Sequence, residues 1–342
     1  MRGRAVALVG ACVLGVAFLV AGCGIIGGGL GLGTRSFSQG VAAASLYDES
    51  FPSAAIRVGW IPPEQPPPNP TARGGYVVGY EVHRSTVPDF PLTAATMQAF
   101  VQGGSTNRFV DSEGAQPAVT VTVSTQSTGL VTVDVQDAGA TPTPALTRSD
   151  SSNTYTIVPT PLVSGTAYYY AICVVSKWLI PVPFDVDGGA SLDGTLRVSQ
   201  PVYVGPITAV RRPVLVDPPD LGEPGSQEVD LRTVVFQWEM VGGGNRYVIE
   251  VSTDPSFGAD NVVRSSEYVV PAPQDGAVLA RQFTGADLSR IFRNVQGPIY
   301  WRVGARHEGD PTPVDINGQP VGYVYSAPRA FQVQTPPPPP PS

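Results

Sequence analysis

Few side chains in this sequence could do acid–base or nucleophilic chemistry. There are two histidines, His83 and His307, and three cysteines, Cys12, Cys23 and Cys173. No H-E-x-x-H pair and no G-x-S-x-G elbow occurs, so neither a helical zinc site nor an activated serine is encoded. His83 is out of phase with Tyr80 and Val82 in a period-two run, which places it on the outward side of a strand. Cys173 sits in the apolar run Tyr168–Val175 and is expected to be a buried, inert thiol. Asp185, Asp187 and Asp193, with Gly188 and Gly194, are spaced like part of a calcium loop. However, Gly189 stands where the third acidic ligand belongs, and no glutamate closes the loop. No metal, no cofactor and no catalytic residue is expected.

Cys23 is the residue with the clearest chemistry. Arg2 and Arg4 precede an apolar run from Ala5 to Val20, and then comes Val20-Ala21-Gly22-Cys23. That layout is a secretory signal, and its end resembles a bacterial lipobox. The resemblance implies cleavage before Cys23 and acylation of its sulfur. Two or more acyl chains anchor stably, at about 0.8 kcal/mol per buried CH₂. The competing reading is an uncleaved membrane span, since no charge occurs between Ala5 and Thr34. The glycines that crowd residues 23–40 fit a flexible tether better. The expected location is therefore the cell envelope, with the chain lipid-anchored to a membrane. Gly24 after Cys23, where aspartate would signal retention, favours the outer membrane or cell surface.

Charge excludes other partners. The formal net charge is −7 and Lys177 is the only lysine. Without a basic patch, nucleic acid is a poor partner on electrostatic grounds. Only 14% of the residues are charged, which is too few for a charged coiled coil.

The elements that carry these residues repeat. Gly79–Phe90 lies over Arg246–Phe257 at a constant offset of 167, with Tyr80, Ser85, Thr86, Pro88 and Phe90 matched. Upstream, Ile56-x-Val58-x-Trp60 matches Val234-x-Phe236-x-Trp238. Downstream, Tyr168–Ile172 is matched to Tyr300–Gly304. Each segment alternates with period two and is rich in β-branched or aromatic residues, which is strand chemistry. One helix is expected, Leu92–Gln102, with Thr93 as N-cap and Gly103 as stop. Both copies resemble fibronectin type III domains: an inward tryptophan on the second strand, a third strand opening with tyrosine, and a corner such as Leu162-Val163-Ser164-Gly165-Thr166-Ala167-Tyr168. The resemblance implies an all-β chain of two tandem immunoglobulin-like sandwiches. Their cores would hold Trp60, Tyr80, Tyr168, Trp238, Tyr247 and Tyr300, with the corner tyrosines bonding back to the backbone.

The expected layout is a signal peptide (1–22), a tether (23–40), a first domain (41–209), a second domain (210–335) and a proline-rich tail (336–342). The first domain exceeds the roughly 100 residues such a fold needs, so it carries insertions. These are Ile61–Gly75 with its proline run, Ser112–Thr160 with an extra β-hairpin, and Ser176–Thr195. The hairpin is expected to brace the junction with the second domain. The first and third insertions would share a surface bearing Trp178, Phe184, Asp185, Asp187 and Asp193, the candidate binding surface. The functional expectation is an interaction or adhesion module for envelope proteins. The alternatives are a carbohydrate-binding accessory protein for surface polysaccharide, or a spacer without ligand.

Overall fold

Period-two alternation builds nearly every element of the chain. The computed structural model describes residues 41–45, 53–63, 75–125, 131–181, 192–223, 228–258, 261–310 and 323–334. The first half contains β1 (Val41–Ser45), β2 (Ala55–Trp60), β3 (Gly75–Ser85), β4 (Met97–Gln102), β5 (Arg108–Ser112), β6 (Val119–Thr125), β7 (Val131–Asp137), β8 (Ala145–Arg148), β9 (Ser152–Ile157), β10 (Ala167–Pro181), β11 (Leu192–Val198) and β12 (Val202–Thr208). Strands β1-β2-β5 form one antiparallel sheet, and β11-β10-β3-β4 form another, with β12 also paired to β10. Their facing sides meet in one core that includes Ile56, Val58, Trp60, Tyr80, Val82, Tyr168, Tyr170 and Ile172.

The second half repeats this order. It contains β13 (Val214–Asp217), β14 (Val235–Glu239), β15 (Arg246–Ser252), β16 (Val262–Arg264), β17 (Tyr268–Val269), β18 (Val278–Gln282), the one-turn helix α1 (Leu288–Ile291), β19 (Ile299–Arg306), β20 (Val324–Tyr325) and β21 (Arg329–Phe331). Here β13-β14-β18 face β16-β15-β19-β20, with β17 and β21 pairing along β15 and β19. Their core includes Phe236, Trp238, Tyr247, Ile249, Trp301 and Val303. The two cores part between Ala209 and Val210. The chain is all-β; the helical elements named among the described residues are α1 and one 3₁₀ turn, Ala94–Thr96.

Four expectations are corrected. The segment Leu92–Gln102 is not a helix: after one turn it becomes β4. Ala99 and Val101 pack on the sandwich core, while Met97 and Phe100 pack on the opposite side. A strand buried on both faces loses its alternation and reads as a continuous apolar run. Tyr300 is only half-buried. Register places Tyr300 opposite Ser252, and the inward place beside it belongs to Trp301. A one-residue slip of this kind sends a strand side chain to the other face.

The extra hairpin is half of something larger. Strands β7-β6-β9-β8 form a four-stranded sheet of their own. It does not brace the junction. Its apolar side, with Val121, Val123, Tyr155 and Ile157, covers Val78, Met97 and Leu196 on the outer side of the β3–β4–β11 sheet. That outer side carries an apolar patch that needs a cover, which decides where the insertion packs. His83 is the fourth correction. It does point away from the sandwich core, yet it is fully buried among polar partners, beside Glu81 and Thr96.

Candidate functional site

The residues singled out from sequence are distributed as follows. Cys23, Val20, Ala21 and Gly22 lie outside the described residues, as do Phe184, Asp185 and Asp187. Trp178 lies on β10, opposite Gly75 of β3 and Thr195 of β11. Asp193 stands on β11 opposite Ile180. The described parts of the third insertion, residues 176–181 and 192–195, therefore prolong the β10–β11 pair. Trp60, Tyr80, Trp238 and Tyr247 are buried. Trp60 donates its indole N–H to the Thr106 carbonyl at 3.0 Å. The Tyr168 hydroxyl accepts from the Val163 N–H at 2.9 Å and fixes the corner before β10. Cys173 is buried, and burial, reinforced by the Glu81 charge, pushes its thiol up to about 12. Among the described residues, no group of three or more His, Cys, Asp or Glu is placed to share a metal ion.

Three polar constellations escaped the sequence. The first is buried inside the first half. Arg84 faces inward and meets Asp111 of the opposite sheet at 2.5 Å. The same guanidinium donates to the Thr160 carbonyl and, at 2.6 Å, to the Thr160 hydroxyl. Tyr170 donates its hydroxyl to Asp111 at 2.9 Å. Burial raises the Asp111 carboxyl above the usual carboxylate range, against the opposing charge and hydrogen bonds of Arg84. This cluster clamps the point where the inserted segment returns to the sandwich. On the outer side of the same sheet, Arg148 reaches from β8 to buried Glu81 at 2.5 Å and ties down the inserted sheet.

The second lies between the halves. Only residues 209–213 separate β12 from β13, and Ala209 and Val210 already belong to the two cores. Ser164 donates its hydroxyl to the Gly242 carbonyl at 2.9 Å. Asp310 accepts from both the N–H and the hydroxyl of Thr208, each at 3.0 Å. Arg211 holds Glu113 at 3.1 Å and stands 3.6 Å from Asp275. Glycine is required at the contact itself. Gly243 has φ 82°, and a Cβ there would come within 2.9 Å of the Ala209 carbonyl oxygen. His307 donates its Nδ1–H to the Gly243 carbonyl at 2.9 Å and fixes that turn from behind.

The third constellation lies on the outer face of the second half. Glu250 is buried and accepts from Arg264 at 2.7 Å, Arg302 at 2.8 Å and Tyr325 at 2.9 Å. The Arg302 guanidinium is layered between the rings of Phe257 and Tyr325, at 4.2 and 3.9 Å. Beside it, Glu267 accepts from Arg306 at 2.7 Å and Tyr323 at 2.6 Å. An inward arginine at period two and the run Gly242-Gly243-Gly244 were visible signals for the first two groups. Nothing local in sequence points to the third.

All three groups pair charge with charge and hold geometry. No protein-family model matches this chain, and no curated protein matches it. Among solved structures, the chain is similar to the crystal structure of a tetra-tandem repeat in the extending region of a large adhesion protein. The identity is 11%, the match covers 87% of this chain and 74% of that one, and the TM-score is 0.24.

Proposed function

We propose that this chain is a lipid-anchored protein of the cell envelope whose two fibronectin type III-like sandwiches act as a non-catalytic interaction module, held at a fixed mutual angle. The strand order, a three-stranded sheet facing a larger one of five strands in the first half and six in the second, supports the domain assignment, as do Trp60 and Trp238 at matched positions and the Tyr168 corner. The observation that carries the functional reading is the junction. A flexible pair of domains needs a linker free of contacts. Here hydrogen bonds from Ser164 and Thr208, and the Arg211 ion pairs, tie the second half to the first with no free segment between. Such a joint suits a module whose two halves present their surfaces at a set angle to each other.

Two measurements on the membrane-extracted chain test this. Mass spectrometry of its N-terminus should find acylated Cys23; an unprocessed Met1 overturns the anchor. Distance measurements between labels on the two halves should give one narrow distribution, and a broad one overturns the fixed joint. Pull-down from envelope extract separates the interaction reading from its rivals. Retention on polysaccharide that is lost in Trp178→Ala favours the carbohydrate reading, and no specific retention at all favours the spacer.

A further inference from the structure

Among the described residues, the inserted sheet of the first half ends on one side in an edge strand: β7 hydrogen-bonds to β6 and to no other strand. Antiparallel pairs alternate between those that exchange N–H···O bonds and those that do not. The Ala138 N–H donates to the Ala118 carbonyl, so the bonded pairs that follow are Thr120–Gln136, Thr122–Asp134 and Ser124–Thr132. The peptide groups of Val131, Val133, Val135 and Asp137 therefore point away from β6, toward the open edge. An edge of seven residues with this much valine is a ready template for another strand.

What lies beside the edge makes it a site. A groove of about 400 Å³ runs under the apolar side of the inserted sheet at this edge, bounded by Phe100, Phe109, Val110, Pro117, Val121 and Val135. Val135 is 56% exposed, with its methyls over that groove. Strand β5, which lines the groove, is also an edge strand, and by the same alternation the Val110 peptide groups face away from β2. The groove thus offers backbone donors and acceptors along a line with apolar footing below. Pockets for alternate side chains plus a free edge are what recognition by strand addition uses. On the opposite side of β7, Asp134 stands exposed between Thr132 and Gln136 and sets the charge a partner must meet. The second half has a strand in the place of β5, namely β18, but among the described residues it carries no inserted sheet to wall it in.

We propose that β7 takes an extended segment of a partner protein as an added strand, apolar at the alternate positions that enter the groove and basic on the other face. This rests on the interaction-module reading above and names the chemistry of the partner. The probe is a fluorescein-labelled synthetic peptide, Lys-Val-Lys-Val-Thr-Val-Lys, added to the full chain in detergent. Its control is the same peptide N-methylated at alternate residues, which cannot complete a ladder. Saturable binding of the first and at least ten-fold weaker binding of the second is expected. Val135→Pro removes only an outward N–H, a place where an edge strand tolerates proline. It should weaken the peptide at least ten-fold with an unchanged melting midpoint. Because that variant can fail to fold, amide exchange on the unmodified chain supplies the second reading. Peptide should slow exchange at Val131, Val133 and Val135 and leave Thr132, Asp134 and Gln136 as they were. Equal binding of both peptides, no added protection on β7, or self-association through β7 that shuts the peptide out each overturns the strand site. A chain that is acylated and stiff yet ignores the peptide loses this site alone and keeps its anchor and joint.

Discussion

The two halves share one strand order and differ at one corner of the core. In the first half Arg84, Tyr170 and Asp111 meet there. Register sets Val251 and Trp301 in the places of Arg84 and Tyr170, because Arg84 pairs with Tyr170 as Val251 does with Trp301. Phe283, one step past the Val235–Gln282 pair, takes the place of Asp111. One fold thus closes the same corner with an ion pair in one copy and with hydrocarbon in the other. The connections into β10 and β19 explain why. The second half turns back within residues 283–298, and Leu288 of its short helix and Phe292 at the helix C-cap fill the corner by volume. The first half returns from a four-stranded insertion. It needs a fixed point for the incoming chain more than it needs volume, and Arg84 provides that point at Thr160. A buried ion pair is a poor source of stability but a good source of position.

The largest expected effect breaks that corner. Arg84→Ala leaves the Asp111 carboxylate buried without its cation and should cost about 3–5 kcal/mol. The matched truncation Val251→Ala removes two methyl groups and should cost less, about 1–3 kcal/mol. Urea unfolding of the full chain, followed by amide exchange in each half, measures both. Equal costs would remove the distinction. The paired replacement Arg84→Met with Asp111→Leu should lie within about 1 kcal/mol of the parent, while exchange at Leu162 quickens as the fixed point loosens.

A smaller effect is expected from the surface network of the second half. Glu250 is as buried as Asp111, but its cations are not: Arg264 is 55% exposed. Glu250→Gln therefore frees guanidiniums that water can reach, and should cost about 1.5–3 kcal/mol, the range for charged hydrogen bonds. A loss as large as that of Arg84→Ala would mean that exposure of the partner charge does not govern the cost.

How much of this was legible follows from the same residues. Trp60, Tyr80, Trp238 and Tyr247 could be read because each carries its whole message locally: a large aromatic at an inward position of an alternating run. Tyr300 misled because letters were matched, tyrosine to tyrosine, where the corner before β19 is shorter and register pairs Tyr169 with Ser85 but Tyr300 with Ser252. Strands β6 and β7 alternate cleanly and were found. Strand β8 is four residues of Ala145–Arg148, too short and too polar to announce itself. The Arg84 partners were out of reach for a different reason. Asp111 and Thr160 lie 27 and 76 residues away, and only the fold brings them together.

Acid should move the halves in opposite directions. Asp111 has its folded pKa raised, by burial first and despite Arg84. Its ionisation penalises the fold as pH climbs from the unfolded value through the raised one, so lowering pH across that window relieves the first half. Glu267 is the reverse. Burial raises it, but hydrogen bonds from Tyr323 and Arg306, with the charges of Arg306 and Arg246, outweigh burial and hold it below the ordinary 4.5. Its contribution is full above that ordinary value and is lost as pH falls through the folded one. Asp111→Asn should therefore flatten the gain of the first half on acidification, and Glu267→Gln should flatten the loss of the second. Slopes of the same sign in both halves would contradict the contrast.

The smallest expected effect concerns what joins the halves. Ser164→Ala deletes one hydroxyl, which donates to Gly242 across the junction. The cost should be about 0.5–1.5 kcal/mol, the net worth of one neutral hydrogen bond. Its interest lies in where the cost appears. If each core stood alone, the loss would be confined to the turn at Ser164 and Gly165, and neither unfolding midpoint would shift. If the joint couples them, the two midpoints should separate, because the bond belongs to neither core. Thr208→Val removes a second donor from Asp310 and leaves its N–H bond in place. It should therefore add to the separation of Ser164→Ala without an extra penalty, since the two bonds share no partner. A double variant that still melts in one step would mean that the Arg211 pairs with Glu113 and Asp275 carry the coupling. That outcome would place the stiffness of the chain in its charges and make it depend on salt, as exposed ion pairs do.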